Sequence, residues 1–372
     1  MRIAVLAHIR HPIREPFKGG MEGHAHALVG ALAARGHDVT LFASGDSDAG
    51  VPLVPVVSRH YELDLPWHDY HGTDELNDYL DAAFAKTCRR LLESDFDVVH
   101  NNTLHRYPPR LARTRRLPMV TSLHVPAFGP LRRAVAASAA PWSRFTATTR
   151  RHGRSYWGDE PPAQAHVVHN GIDLARWRFA AGPGDGSVAW AGRIDPNKGA
   201  HLAAEAARVA GVPLTLFGHV EHADYFAHEV APRLGGGVRY GGHLTADELA
   251  DELRRASAFA FTPMWDEPFG LAAAEAMASG LPVAAFDNGA AREVVGEAAG
   301  RFAASGDVAG LARAMTSALE IPRDVPRARA ERHFGIERMV DGYEAIYRAA
   351  IAGRRQEAPR VEFPDYELRV AA

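Results

Sequence analysis

Apolar residues along this chain fall into two patterns that take turns: short continuous runs, and longer stretches in which they recur every three or four positions. The first run, Arg2 to Ala7, reads as a buried strand. A loop containing proline and glycine leads from it into an amphipathic helix from about Glu22 to Arg35, which Gly36 ends. Further strands are predicted at Asp38–Phe42, Val98–His100, Met119–Leu123, Phe145–Thr148 and Ala165–Val168, with helices such as Asp74–Glu93 and Pro109–Arg115 between them. Strands alternating with helices need right-handed crossovers, which predicts a parallel sheet.

A Gly/Pro-rich stretch from Phe179 to Gly186 reads as a linker, and the alternation then starts again. Strands are predicted at Val188–Ala191, Leu214–Phe217, Val238–Tyr240, Ala258–Thr262, Val283–Phe286 and Arg301–Ala303. The intervening helices are His201–Ala210, Ala246–Ala256, Leu271–Ser279 and Val308–Leu319. A last helix, Ile336 to Ala352, carries Met339, Tyr343, Ile346, Tyr347 and Ala350 at helical spacing, and the charged tail beyond Gly353 is expected to be extended. The pattern therefore predicts two similar open α/β units in tandem. A length of 372 residues, more than one hydrophobic core usually serves, agrees with that division.

Composition narrows the class. A hydrophobic fraction of 47% suits a globular protein, and a formal charge of −3 gives no reason to expect a nucleic-acid partner. Cys88 is the only cysteine, which excludes an intramolecular disulfide and fits a reducing compartment. The opening residues do not read as a signal peptide, and no apolar run approaches the roughly 20 residues of a membrane span, so a cytoplasmic protein is expected. Nearly all basic residues are arginine, so Lys18, Lys86 and Lys198 each carry more information than usual.

The segment Glu267 to Val283 holds the most chemistry. It reads as a turn, an Ala-rich helix and a strand, with Glu267 just before the helix and Glu275 two turns into it. Pro268 is expected in the helix's first turn and Gly280 at its left-handed cap. Free amides near Phe269, Gly270 and Leu271 would form an anion-binding helix start. At about 1.5 Å rise per residue, the two carboxylates lie within roughly 12 Å, the reach of a sugar joined through a diphosphate to a ribose. The spacing suggests a nucleotide-sugar site.

Ligands in open α/β sheets bind beyond the carboxyl ends of the strands, so two units facing one another would surround one interdomain cleft. Several loops at such ends carry suitable groups. In Gly192-Arg193-Ile194-Asp195-Pro196-Asn197-Lys198-Gly199, Arg193 offers a planar fork and Lys198 a point charge to a diphosphate. Gly218, and the run Gly241-Gly242-His243-Leu244, would let backbone approach a flat base, with His243 or Leu244 against it. The turn Asp287 to Glu293 offers further backbone donors.

Together these motifs resemble retaining glycosyltransferases of family 4. Glu267 to Val283 resembles that family's EPFG…EAMA.G.PV block, with its two glutamates separated by seven residues. The Gly192–Gly199 loop resembles its basic diphosphate loop, Val168 to Asp173 its NG.D turn, Gly19-Gly20-Met21-Glu22 its first-loop glycine pair, and His124 its active-site histidine. The resemblance implies the GT-B fold: two Rossmann-like, doubly wound parallel-sheet domains facing an interdomain cleft. It places an acceptor-binding domain at 1–170, with the last helix and tail at 336–372 packing back on it, and a donor-binding domain at 171–335.

It also implies roles. Glu267 would contact the donor sugar and Glu275 the ribose, while Arg193, Lys198 and the Gly270 and Leu271 amides would hold the diphosphate. Gly19 and Gly20 would let the first loop close over the phosphates, and His124 would sit near the transferred sugar. The implied reaction moves a hexose-type sugar from a UDP- or GDP-sugar to a hydroxyl acceptor through a front-face retaining displacement. No metal and no cofactor beyond the nucleotide-sugar co-substrate are expected. The acceptor, a small molecule, lipid or saccharide, is not readable, and either a monomer or a homodimer is compatible with the chain.

Rival readings fit less well. A nucleotide-sugar 2-epimerase can share the fold, but the glutamate pair and the Arg/Lys loop favour transfer. A dinucleotide oxidoreductase would want G-x-G-x-x-G in its first loop, which is missing. Most of the twenty histidines are expected to be structural; His24 and His26 do not share a helix face and make a poor metal pair, and His100 is a weaker cleft candidate than His124. The five arginines from Arg106 to Arg116 are read as a solvated helix face, with a weak membrane-surface contact left open.

Overall fold

The strands of the computed structural model, which describes residues 1–363, form two wholly parallel sheets, one in each of two units. The first unit is Met1–Val168 with the described residues from Met339 onward, and the second is His169–Arg338. In the first, β1 (Arg2–Leu6), β2 (Asp38–Ser44), β3 (Leu53–Val57), β4 (Val98–Asn101), β5 (Met119–Leu123), β6 (Ser143–Ala147) and β7 (Ala165–Val167) take the order β3-β2-β1-β4-β5-β6-β7. In the second, β8 (Val188–Ala191), β9 (Leu214–Phe217), β10 (Val238–Gly242), β11 (Ala258–Phe261), β12 (Val283–Phe286) and β13 (Gly300–Ala303) take the order β10-β9-β8-β11-β12-β13. Each order reverses direction once, between β1 and β4 and between β8 and β11, creating a crevice at the carboxyl ends of those strands.

The central strands are apolar without alternation because helices cover both faces of a parallel sheet. Ile3 to Leu6 of β1 and Val283 to Phe286 of β12 are all fully buried. In register, Ile3 of β1 lies against Val39 of β2 on one side and Val98 of β4 on the other.

Several elements differ from expectation. The pattern omits β3, because Pro55 interrupts it; β3 is an edge strand, where a missing N–H is tolerated. Helices at Gly129–Ser138, Arg150–Trp157 and Asp324–His333 also escape the periodicity. The helix expected from Pro109 starts at Tyr107, with Pro108 and Pro109 in its first turn. The run at 179–186 is no free linker. It is hydrogen-bonded to the second unit through Asp185 N–H to Arg255 O at 2.9 Å and Gly186 N–H to Ser257 Oγ at 2.7 Å.

The last helix, Ile336–Gly353, belongs from Met339 onward to the first unit. Its buried face carries Met339, Val340, Tyr343, Ile346, Tyr347 and Ala350. Tyr347 O–H donates to His100 Nδ1 at 2.5 Å, and Tyr343 accepts from Ser122 Oγ at 3.1 Å. His100 is thereby a wholly buried structural residue rather than a cleft group.

The Arg106–Arg116 stretch is a solvated face only in part: Arg115 and Arg116 are exposed, but Arg113 is buried and Arg106 and Arg110 are half-buried. Arg106 bonds Asp81 at 2.5 Å, Arg110 lies 5.2 Å over the Phe363 ring, and Arg113 and Arg116 flank Trp142 at 5.5 and 4.6 Å. Arg113 and Arg116 also donate to the carbonyls of Pro359 and Gln356. Arg110, Arg113 and Arg116 hold down the chain's own tail, whose Phe363 enters the core of the first unit. The expected extended tail is described only to Phe363, and its continuation at 364–372 lies outside the described residues. No helix among the described residues is long and apolar enough to cross a membrane.

Candidate active site

In the second unit the loop after β8 is shaped by its own turn chemistry. The Asp195 carboxylate accepts the Asn197 N–H at 2.7 Å and opens a 3₁₀ turn, Pro196–Lys198, that Gly199 closes in the left-handed region at φ +67°. Thr262, just after β11, donates its hydroxyl to the Lys198 carbonyl at 2.8 Å and accepts the Trp190 indole N–H at 2.9 Å. Lys198 is thus fixed at both its backbone and its ammonium. Its Nζ donates to Glu267 Oε2, which also accepts the Trp265 indole N–H at 2.7 Å. The ammonium lies 5.1 Å from the Trp265 ring centroid, within cation–π range.

Glu267 is buried, and its backbone is held by the turn after β12. Ala290 N–H donates to Glu267 O at 2.8 Å, and Gly289 packs so closely that a Cβ there would sit 2.2 Å from Glu267 N. The expected backbone donors of the Asp287–Glu293 turn therefore serve Glu267 itself. Arg292 spends its guanidinium on Asp287 and Glu297.

The helix Leu271–Ala278 starts where the pattern places it, but Pro268 precedes its Gly270 cap instead of occupying its first turn. Gly270 caps it at φ +91°, where a Cβ would meet the Phe261 ring at 2.5 Å. The first amide the helix uses for itself is that of Ala273, bonded to Gly270 O. The buried Phe269 anchors the approach against Phe334 and His169, with ring centroids at 5.4 and 6.0 Å. Gly280 takes the left-handed cap position at φ +91° as expected. Four residues after Leu271, and so on the same helix face, Glu275 lies partly buried; burial raises its carboxyl to about 7, with Arg176 pulling the other way.

Arg193 reaches Glu221 at 3.6 Å. At the ends of β9 and β10, Gly218 N–H donates to Gly242 O at 2.8 Å, and the His219 and His243 rings lie 5.6 Å apart. Gly218, at φ +140°, approaches Gly192 so closely that a Cβ would lie 1.8 Å from its carbonyl oxygen. Leu244 packs against the core cluster that contains Phe269. Arg193, Lys198, Gly218, His243, Leu244, Glu267, Phe269, Gly270, Leu271 and Glu275 all belong to this one unit, and among its charged candidates Lys198 and Glu267 are in direct contact. Sequence reading missed Trp265, Thr262 and Glu221; an indole two residues before Glu267 was the available signal.

Gly19, Gly20 and His124 belong to the first unit. His124 follows β5, is buried, and donates through Nε2 to Asn102 Oδ1 at 2.8 Å. Burial, reinforced by neighbouring histidines, holds it well below the usual histidine range, so it is neutral at pH 7. Its ring lies 4.4 Å from that of His24. Gly19 sits at the start of the helix Gly20–Ala34, and a Cβ there would lie 3.0 Å from Glu22 Oε2. Glu22 Oε1 accepts from His8 Nε2 at 2.7 Å. Burial pushes the Glu22 carboxyl up, but the His8 partnership outweighs it and keeps the group ionised below the usual carboxylate range. Discounting His24 as a poor metal ligand hid its packing on His124.

Two parallel-sheet α/β domains, with basic and acidic groups gathered at the strand ends of the second, define a glycosyltransferase of the GT-B fold. Residues 18–176 match the family described as Glycosyltransferase Family 4, and residues 173–333 match Glycosyl transferases group 1. The chain belongs to glycosyltransferase family 4. It is 31% identical to a glycogen synthase of Mycobacterium tuberculosis over 94% of this chain and 96% of that one. It is 28% identical to a D-inositol 3-phosphate glycosyltransferase of Mycolicibacterium smegmatis, over 96% and 93% of the two chains. Anabaena HepE, solved in complex with UDP and glucose, superimposes with a TM-score of 0.69 at 19% identity, over 93% and 98% of the chains.

Proposed function

We propose that this glycosyltransferase moves a hexose-type sugar from a UDP- or GDP-sugar to a hydroxyl acceptor with retention of anomeric configuration and without a metal ion. The observation that carries this reading is the Lys198–Glu267–Trp265 cluster beside the helix start at Gly270 and the partly buried Glu275 carboxyl. Lys198, Arg193 and the Leu271 amide supply the positive charge that a departing diphosphate requires, which a divalent cation would otherwise provide. Glu275 offers its carboxylate to the ribose hydroxyls, and Gly218 and His243 lie where a base would stack. The complex of Anabaena HepE with UDP and glucose supports this choice of donor.

Glu267 Oε2 is held by Lys198 and Trp265 together, an arrangement that suits a positioning role. A front-face displacement suits such a site: the bond from C1 to the diphosphate oxygen breaks while that from C1 to the acceptor oxygen forms on the same face. The acceptor proton passes to the departing phosphate oxygen, and catalysis consists of orientation and charge stabilisation. The first domain binds the acceptor, with His124 as a neutral hydrogen-bonding group. Relatives named for glycogen and for D-inositol 3-phosphate differ in acceptor, so family membership leaves that choice open.

Melting shifts with UDP, GDP and ADP, followed by NMR of the products formed from the matching nucleotide sugars, test the reading. Turnover that yields an α-linked product or free sugar from an α-linked donor supports it. Inverted product, a requirement for added metal, or an epimerised donor alone would overturn it.

A further inference from the structure

Three polar atoms at the carboxyl ends of β1 and β4 are buried without a hydrogen-bond partner among the described residues: His8 Nδ1, Asn102 Nδ2 and His24 Nε2. His8 follows β1, Asn102 follows β4, and His24 lies near the start of the helix that the β1 loop enters. Buried polar groups are nearly always paired, so three orphans around one sheet reversal ask for an explanation.

The network around them defines what they can bind. His124 and His100 both approach Asn102 Oδ1, at 2.8 and 3.2 Å, which makes that oxygen an acceptor and leaves the Asn102 amide as a donor. Burial lowers His24 to about 4 and His100 to about 3, so both rings are neutral at pH 7. Glu22 is the ionised group here, tied to His8 at 2.7 Å. Arg10, the cation felt by the neighbouring His11, is taken by Glu62 through bonds of 2.7 and 3.1 Å. Around the Glu22 carboxylate, the neutral His24 and His124 rings and the Asn102 amide offer hydrogen-bonding groups that suit hydroxyls rather than a phosphate.

Building on the transfer reading above, we propose that the β1/β4 reversal of the first domain recognises an uncharged polyol or sugar ring of the acceptor, through His8, His24 and Asn102, and selects against phosphorylated acceptors.

The test is saturation-transfer NMR on the full chain with neutral and phosphorylated partners in pairs: myo-inositol with inositol 3-phosphate, and maltose with glucose 6-phosphate. A neutral member is expected to give a signal at least fivefold above the phosphorylated probe of its pair. That signal should fall severalfold in Asn102→Ala and His24→Phe variants whose melting temperatures confirm folding. Equal or stronger signal from the phosphorylated probes, no signal from either neutral probe, or neutral binding indifferent to both substitutions overturns the inference. Nucleoside diphosphate melting shifts and donor hydrolysis are read separately. Their loss would sink the transfer reading, whereas a reversed preference with donor turnover intact sinks only the acceptor class.

Discussion

Lys198 and Glu267, 69 positions apart in sequence, meet at a single carboxylate oxygen that the Trp265 indole N–H also bonds. The ammonium therefore has two partners at Trp265's end of the site, the carboxylate and the ring face. Under the proposed function a donor diphosphate would offer Lys198 a third, with the indole keeping Glu267 in place as the ammonium turns toward it.

Replacing Trp265 by phenylalanine keeps an aromatic face and deletes the N–H. Hydrogen bonds to charged groups contribute about 1.5–3 kcal/mol, so kcat should fall roughly ten- to a hundredfold in Trp265→Phe. Lys198→Ala should fall further, on the order of a hundredfold or more, with a smaller change in donor KM. Steady-state kinetics on folded variants decide this, and unchanged kcat in both would remove Lys198 and Trp265 from the machinery.

If Glu275 binds the donor as proposed, its raised carboxyl ties donor affinity to pH. Its carboxyl is raised from 4.5 to about 7 by burial, so the fold favours the protonated form. The stability this provides is complete below the unfolded value and disappears as pH rises through about 7. About 3 kcal/mol is at stake, since each tenfold gain in proton affinity corresponds to about 1.4 kcal/mol. Thermal melts of Glu275→Gln should match wild type near pH 5 and exceed it near pH 8. Nucleoside diphosphate affinity should run the other way, weakening in wild type as pH falls from 8 to 6 and dropping about tenfold in the variant at pH 8. A variant with unchanged stability and affinity would mean that the carboxyl is neither strained nor used.

Much of the fold was legible because buried parallel strands leave uninterrupted apolar runs, as in Ile3–Leu6 and Val283–Phe286. Pro55 hid β3, since an edge strand tolerates what a central one does not. The start of the helix at Leu271 was legible, but Pro268 was misplaced into its first turn because proline suits both that turn and the loop before it. At the site, the glutamate spacing made Glu267 and Glu275 visible. Trp265 was legible in principle, two residues before Glu267, whereas the pairing of His24 and Asn102 with His124 joins distant segments that no local spacing encodes. The arginines from Arg106 to Arg116 misled for the same reason: their aromatic and carbonyl partners lie at Trp142 and in the tail.

That tail makes a separate prediction. Phe363 is buried in the core of the first unit beneath the Arg110 guanidinium. Phe363→Ala should cost about 2 kcal/mol in urea unfolding, at the lower end for a buried aromatic because the site lies near the chain's end. Donor hydrolysis at 25 °C should persist, since Phe363 packs in the core of the first unit while the proposed donor-binding groups belong to the second. Arg110, Arg113 and Arg116 are already occupied, so sedimentation with anionic vesicles should leave the wild-type protein in the supernatant. Strong co-sedimentation, or unfolding indifferent to the substitution, would contradict the strap.

Gly19 and Gly270 separate two ways in which a glycine can matter. Gly270 is left-handed at φ +91° and faces the Phe261 ring at 2.5 Å, so Gly270→Ala strains the backbone and should lower both melting temperature and activity. Gly19 is extended at φ −160°, a conformation open to any residue. The methyl added by Gly19→Ala would instead press on Glu22 Oε2 at 3.0 Å, and through Oε1 on the bond to His8. Gly19→Ala should therefore melt within about 2 °C of wild type and still lose on the order of tenfold in transfer rate, because displacement of a positioned group is felt in the transition state. Melting curves and initial rates measured side by side decide the matter. A fully active Gly19→Ala variant would show that the first loop needs no clearance beside Glu22.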